Sequence, residues 1–216
     1  MKIAALYSGG KDSNYAVHWA LQQGHEVVLI NMEPQADSMM FHHPNVKWTK
    51  LQAQAAKLEL KSFTTTHETE LEDLKEALRS VEAEGLVTGA VQSVYQKSRI
   101  DKIANDLGLE AFSPIWHKDT NFLKEMLELM DVRIVSVSAE GLKEDLLTKR
   151  FTPRLVDQFS KLSPPINVFL EGGEGETFVV DAPFFKKRIE ITGWDIKWDG
   201  QTGKANIKDA KLVEKP

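Results

Sequence analysis

The sequence predicts an α/β fold: a Rossmann-like parallel sheet followed by a smaller C-terminal α+β domain. Three observations predict it. Short apolar runs alternate with helical periods through the first 130 residues, and a glycine turn separates the first run from the first helix. Beyond Asp131 the chain becomes strand-rich. The expected division is therefore residues 1–130 and 131–216.

Each element has its own warrant. Ile3–Tyr7 is an apolar run suited to a buried strand, and Asn14–Leu21 continues as a helix after the turn Ser8–Ser13. Gly24 ends that helix, and Glu26–Asn31 reads as a second strand. Trp48–Leu60 carries Leu51, Ala55 and Leu58 on one helical face, and Lys61–Thr65 is a third strand. Thr69 and Glu72 have capping-box spacing ahead of a helix through Leu71, Leu74, Leu78 and Val81, which Gly85 stops. Leu86–Val91 is the fourth strand. Ile100, Ile103, Ala104 and Leu107 line a helix closed by Gly108, and Glu110–Ser113 is a short fifth strand. Strands separated by helices imply parallel pairing with helices on both faces. After a helix at Asn121–Met130, Val132–Ser138 reads as a strand, and Lys143–Lys149 and Arg154–Leu162 read as helices. Thr177–Val180, Arg188–Thr192 and Asp195–Trp198 are further strands, with a hairpin-like turn at Asp199–Gly203.

Composition removes several functions. The net charge of −5 over 216 residues argues against a stable nucleic-acid footprint, and Lys186-Lys187-Arg188 reads as a solvated strand end. No apolar run reaches membrane-spanning length and the N-terminus lacks a signal-peptide pattern, so a cytoplasmic protein is expected. Cysteine is absent. That excludes disulfides, zinc–thiolate sites, a cysteine nucleophile, a cysteine-dependent glutaminase and a persulfide relay.

The segment Ser8-Gly9-Gly10-Lys11-Asp12-Ser13 is the most specific chemical signal. Paired glycines let the backbone approach a phosphate, and the new helix offers free N–H groups and a positive dipole end. The hydroxyls of Ser8 and Ser13 and the Lys11 ammonium complete a cradle. Its spacing fits neither the Walker A loop nor the GxGxxG fingerprint.

Segments at the ends of other strands should share its crevice. In parallel sheets, ligands bind beyond the carboxyl ends of strands, where Asn31-Met32, Gly89 and Pro114-Ile115-Trp116 also fall. Gly89–Arg99 follows the fourth strand; within it Gln96 can hydrogen-bond a nucleotide or amide, and Arg99 can fork onto a phosphate. The competing reading makes Arg99 a surface residue of a helix start. Glu171-Gly172-Gly173-Glu174-Gly175-Glu176-Thr177 is too acidic for phosphate and suits a cation, either magnesium or a charged substrate, with Phe169 and Phe178 adding cation–π attraction. A plain acidic turn is the alternative. His42 and His43 have no metal-ligand spacing and read as part of a flap or surface loop, and His117 reads as structural.

The SGGxDS pattern resembles the pyrophosphate-binding loop of the N-type ATP pyrophosphatases, which implies an adenine nucleotide alpha hydrolase-like sheet. Taken in order, Ser8–Ser13, Gly89–Arg99, Glu171–Thr177 and Asp181–Ile189 resemble the diphthine–ammonia ligase family in its short archaeal-type form. The resemblance runs from Lys2 to about Ile191; the last residues add no recognised motif.

The resemblance implies ATP with Mg2+, adenylation of the diphthine carboxylate on translation elongation factor 2, pyrophosphate release, and attack by ammonia. It assigns phosphate binding to Ser8, Gly9, Gly10 and Ser13, charge neutralisation to Lys11, and magnesium or loop orientation to Asp12. Lys11, Asp12 and Ser13 form the implied catalytic set. Gly89, Gln96 and Arg99 would complete the nucleotide site, Gln96 and Arg99 by contacting the adenylate or the substrate. Tyr95, Glu171, Gly172, Gly173, Glu174, Glu176 and Thr177 would meet the substrate. Ammonium is the implied nitrogen source, no membrane is involved, and a homo-oligomer stays open. The rivals are another ATP-dependent carboxylate–amine ligase, an RNA-modifying paralogue, or a non-catalytic adenine-nucleotide sensor.

Overall fold

Two sheets organise the chain in the computed structural model, which describes residues 1–34, 45–66 and 68–216. The first is parallel, with strands β1 (Lys2–Leu6), β2 (Glu26–Pro34), β3 (Glu59–Thr65), β4 (Gly85–Val87) and β5 (Glu110–Phe112) in the order β3-β2-β1-β4-β5. Helices α1 (Lys11–Gln22), α2 (Thr49–Ala56), α3 (Glu70–Arg79) and α4 (Val94–Leu107) connect them. The alternation of β1 shows why both faces are covered. Ala4 joins Leu74 and Leu78 of α3 and Ile100 and Ile103 of α4. Its neighbours Ile3 and Ala5 join Ala16, Val17 and Ala20 of α1. Strand order reverses between β1 and β4, which opens a crevice beyond their carboxyl ends.

The second sheet is antiparallel, in the order β7-β6-β9-β8, from β6 (Asp131–Val137), β7 (Gly175–Asp181), β8 (Arg188–Trp198) and β9 (Gly203–Val213). Helices α5 (Thr120–Leu129) and α6 (Pro153–Phe159) pack on it through Leu123, Leu127, Val156 and Phe159. Ala55, Ala56, Val91 and Ile115 belong to the same apolar cluster, so the core runs continuously between the two sheets. Among the described residues, no helix is long and apolar enough to cross a membrane.

Several boundaries differ from expectation for local reasons. The helix expected through Leu60 stops at Ala56, because Lys57 turns left-handed (φ 57°) and leads into β3. The Lys143–Lys149 helix shrinks to a single turn at Glu144–Leu146, because Thr148 and Lys149 exchange backbone hydrogen bonds with Ile134. Thr69 forms no capping box; its hydroxyl donates to Asp73 Oδ2 at 2.6 Å. The two strands expected between Arg188 and Trp198 are one, kinked in register near Gly193 and paired with the unanticipated β9. His42 and His43 lie outside the described residues.

Candidate active site

The turn after β1 is held by its own side chains. The Gly10 carbonyl accepts from Asn14 N (3.1 Å), Asn14 Nδ2 (2.9 Å) and Ser13 Oγ (3.2 Å), while Tyr7 OH donates to Asn14 Oδ1 at 2.8 Å. Ser8 Oγ and Ser13 Oγ sit 3.3 Å apart. The N-cap residue Gly10 has no side chain to cap α1, so its first N–H groups, those of Lys11, Asp12 and Ser13, are offered elsewhere. Lys11 N donates to Thr177 Oγ1 of β7 at 3.1 Å. Asp12 and Ser13 face a cavity of about 360 Å³.

A residue absent from the sequence reading locks this turn in place. Gln52 of α2 is 0% exposed, and its Nε2 donates both to the Gly9 carbonyl (2.9 Å) and to the Val179 carbonyl (2.7 Å). Val179 N donates to the same Gly9 carbonyl at 3.0 Å. Gly9 has φ +84°, and a Cβ there would lie 2.6 Å from Gln52 Oε1, so both backbone conformation and space call for glycine. Gly89 meets a similar demand. A Cβ on it would come within 2.6–2.8 Å of the Asp12–Ser13 backbone.

The cavity gathers residues from all three segments: Ser8, Asp12 and Ser13 from the turn, Gly89 and Gln96 from the middle, and Glu171, Gly173 and Glu176 from the acidic loop. Ile30, Met32, Val46 and Ile100 add an apolar wall. Met32 reaches it from the end of β2, as expected, whereas Pro114-Ile115-Trp116 does not line it.

Other expected site residues stand off the wall, each for a visible reason. Lys11 is 2% exposed, with Nζ 2.7 Å from Asp12 Oδ2, so its charge acts through its neighbour. Gly9 and Gly10 form the back of the turn, and Gly10 lies against Thr177. Thr177 spends its hydroxyl on Lys11 N. Arg99, expected on the nucleotide, lies with its guanidinium 3.9 Å from the centroid of the Tyr95 ring, and neither residue lines the cavity. Helical spacing explains the split: Gln96 and Ile100 form the ridge facing the cavity, and Tyr95 and Arg99 form the next ridge. Glu174 accepts from Asn167 N (3.2 Å) and Gly172 N (2.7 Å), shaping its own loop; it and Gly172 stay off the wall. Phe169 and Phe178 are core residues, buried away from any cation.

Electrostatics single out Asp12. Burial lifts its carboxyl above the ordinary value, Lys11 works against that shift, and the Glu176 charge adds to it. One oxygen is held by Lys11; Oδ1 is buried without a hydrogen-bond partner. Glu171 is also raised, chiefly by burial, although its two oxygens accept from Val91 N and Gln92 N at 2.8 Å each. Glu171 therefore straps the acidic loop to the segment after β4. Among the described residues no three His, Asp or Glu side chains converge as a metal cage. Asp12 Oδ1 suits an ion that takes its remaining ligands from phosphates and water.

Comparison with known proteins bears on this arrangement. Residues 1–111 match the family model for the diphthamide synthase N-terminal domain, and residues 118–213 match that for the C-terminal domain. A human protein named diphthine–ammonia ligase is 31% identical over 226 residues, covering 91% of this chain and 85% of its own. A Saccharomyces cerevisiae protein of the same name is 32% identical, covering 96% of this chain but 37% of its own length. The fold is also similar to a solved structure described as a predicted subunit of tRNA methyltransferase from Methanocaldococcus jannaschii. There the TM-score is 0.50 at 16% identity, over 85% of this chain and 98% of that one, and the likeness concerns the fold alone. With both family domains matched in order across nearly its whole length, the chain belongs to the diphthamide synthase family.

Proposed function

We propose that this protein is a diphthine–ammonia ligase that uses ATP to amidate the diphthine carboxylate on translation elongation factor 2. One observation carries the proposal. A phosphate-type turn and an acidic glycine loop, 158 positions or more apart in sequence, line one cavity.

The chemistry follows from a poor leaving group. A carboxylate cannot expel its own oxygen, so it first attacks the α-phosphorus of ATP, and the bond to the β-phosphate bridge breaks to release pyrophosphate. Ammonia then adds to the acyl carbon of the mixed anhydride. AMP leaves with one former carboxylate oxygen, and a proton is lost to give the amide. The helix-terminal N–H groups of Asp12 and Ser13, with the hydroxyls of Ser8 and Ser13, bind the phosphates. Lys11 compensates the Asp12 carboxylate, so the phosphates do not meet an unbalanced negative charge there. The apolar wall of Ile30, Met32, Val46 and Ile100 suits the adenine ring. Magnesium, when bound, would be held by Asp12 Oδ1 and phosphate oxygens and would polarise the phosphoryl group.

In the same cavity, Glu176 and the Glu171 carboxylate attract the trimethylammonium of diphthine. Without cysteine this sequence holds no cysteine-dependent glutaminase, and in this reading ammonia comes from solution or from a partner. Residues 1–130 serve the nucleotide and residues 131–216 the modified side chain in this reading.

The test is high-resolution mass spectrometry of diphthine-bearing elongation factor 2 incubated with the protein, ATP, Mg2+ and ammonium. Conversion of acid to amide that requires both ATP and ammonium supports the proposal. ATP turnover with unmodified elongation factor contradicts it.

A further inference from the structure

The first turn of α4 exposes two large apolar side chains side by side, Val94 at 68% and Tyr95 at 59%. Water-facing tyrosine is ordinary, but this one is organised. The Arg99 guanidinium lies one helical turn on and 3.9 Å from its ring centroid, so each side chain limits the rotamers of the other. The ridge runs directly beside Gln96 and Ile100, which line the active cavity. It is therefore the cavity's outer lip on the α4 side.

We propose that Val94, Tyr95 and Arg99 form the docking surface for the protein that presents the diphthine side chain. The inference rests on the ligase reading given above, and it moves Arg99 from the nucleotide to the macromolecular partner.

Three considerations favour this occupant. A modified side chain must enter the cavity while still attached to its backbone, so its carrier has to press on the rim. The α4 lip is rim surface continuous with the wall at Gln96. Tyrosine and arginine, pre-ordered by stacking, are the side chains that contribute most at protein interfaces, because little rotamer freedom is lost on contact. Charge then gives the approach a direction. Arg99 on the lip repels a trimethylammonium group, and Glu176 on the cavity wall attracts it, so the substrate side chain is drawn past α4 toward the acidic loop. The guanidinium fork is left to a backbone carbonyl or carboxylate of the presenting segment, over an apolar contact on Val94 and Tyr95.

The test uses the full-length protein with substitutions Tyr95→Ala and Arg99→Glu, and elongation factor 2 bearing diphthine as the probe. Thermal unfolding should match the parent, because neither side chain is buried. The KM for elongation factor should rise at least roughly tenfold, while ATP affinity measured by calorimetry stays within about twofold. Unchanged KM in both variants overturns the proposal, as does a comparable loss of ATP affinity, which would return Arg99 to the nucleotide. Direct binding of elongation factor, measured without ATP, separates the two readings. If the parent binds it but makes no amide, and both variants fail to bind, the docking surface stands and the ligase reading falls. Failure of the parent to bind overturns the docking surface itself.

Discussion

Gln52 Nε2 lies 2.9 Å from the Gly9 carbonyl and donates a second hydrogen bond across to Val179, so one buried amide joins the phosphate-type turn to β7. Its Oε1 is buried without a partner. Gln52→Met keeps the length and apolar contact of the side chain but removes both donors. The expected outcome is a loss of about 1–3 kcal/mol in stability, read by denaturant unfolding, together with a lower amidation rate. Parent-like stability and rate would show that the bridge is incidental.

Gly89 is fixed by the closeness of the α1 backbone rather than by its own dihedral angles. In Gly89→Ala the new methyl group has backbone atoms of Asp12 and Ser13 within 3 Å and no flexible side chain to displace. Either α1 or the segment after β4 must move. We expect about 1–3 kcal/mol of destabilisation and weaker ATP binding by calorimetry. Retention of parental ATP affinity would separate this contact from the nucleotide site.

The pH dependence should run in opposite directions for stability and activity. Burial raises the Asp12 carboxyl above its ordinary value of 3.8, so the folded protein holds that proton more tightly than the unfolded chain does. Its contribution to stability is complete below that value and is lost as pH rises through the raised folded pKa. Glu171, raised from 4.5, acts in the same sense. Activity needs the ionised Asp12 and should climb through the same window. Asp12→Asn should flatten part of the stability decline and abolish activity at every pH. An active Asp12→Asn enzyme would remove the cation role.

Glu174 and Glu176 look alike in sequence but should respond differently. Glu174→Gln sets an amide hydrogen against a backbone N–H of Gly172 or Asn167, so hydrogen exchange should accelerate across residues 167–175. Glu176→Gln leaves those bonds intact and reduces charge on the cavity wall beside Asp12. Amidation should fall by roughly tenfold or more with little change in exchange at Asn167 and Gly172, whose N–H groups stay bonded to Glu174. The reverse pattern would exchange their roles.

The sequence made the parallel sheet and the turn legible because both rest on local signals. The expected strands overlap β1 to β5, although the fourth ends at Val87 rather than Val91, and Gly9 and Gly89 sit where the backbone passes close to its neighbours. The apolar stripe of Leu51, Ala55 and Leu58 does not point to Gln52, which is buried with Thr49, Ala53, Ala55 and Ala56. A polar residue on a buried stripe was the available sign. β9 is not legible locally, because its second half, Lys208–Val213, mixes charge with apolar residues, and its pairing with β8 supplies what its own pattern does not. Residue type and spacing do not say which ridge of α4 faces inward, so the sequence alone does not separate Arg99 from Gln96. Glu174 and Glu171 carried the expected charge, but backbone N–H groups from their own loop and from Val91 and Gln92 claim their oxygens. Such contacts come only with the tertiary fold.

The central claim is that the cavity beside Ser8–Ser13 brings a carboxylate oxygen to the α-phosphorus of ATP. Isotopically labelled oxygen in the diphthine carboxylate tests it most directly, with nucleotide products examined after one turnover in the presence of ammonium. The claim predicts amide, pyrophosphate and AMP in equal amounts, with one labelled oxygen in the phosphate of AMP. Label in inorganic phosphate, with ADP as the nucleotide product, would contradict it.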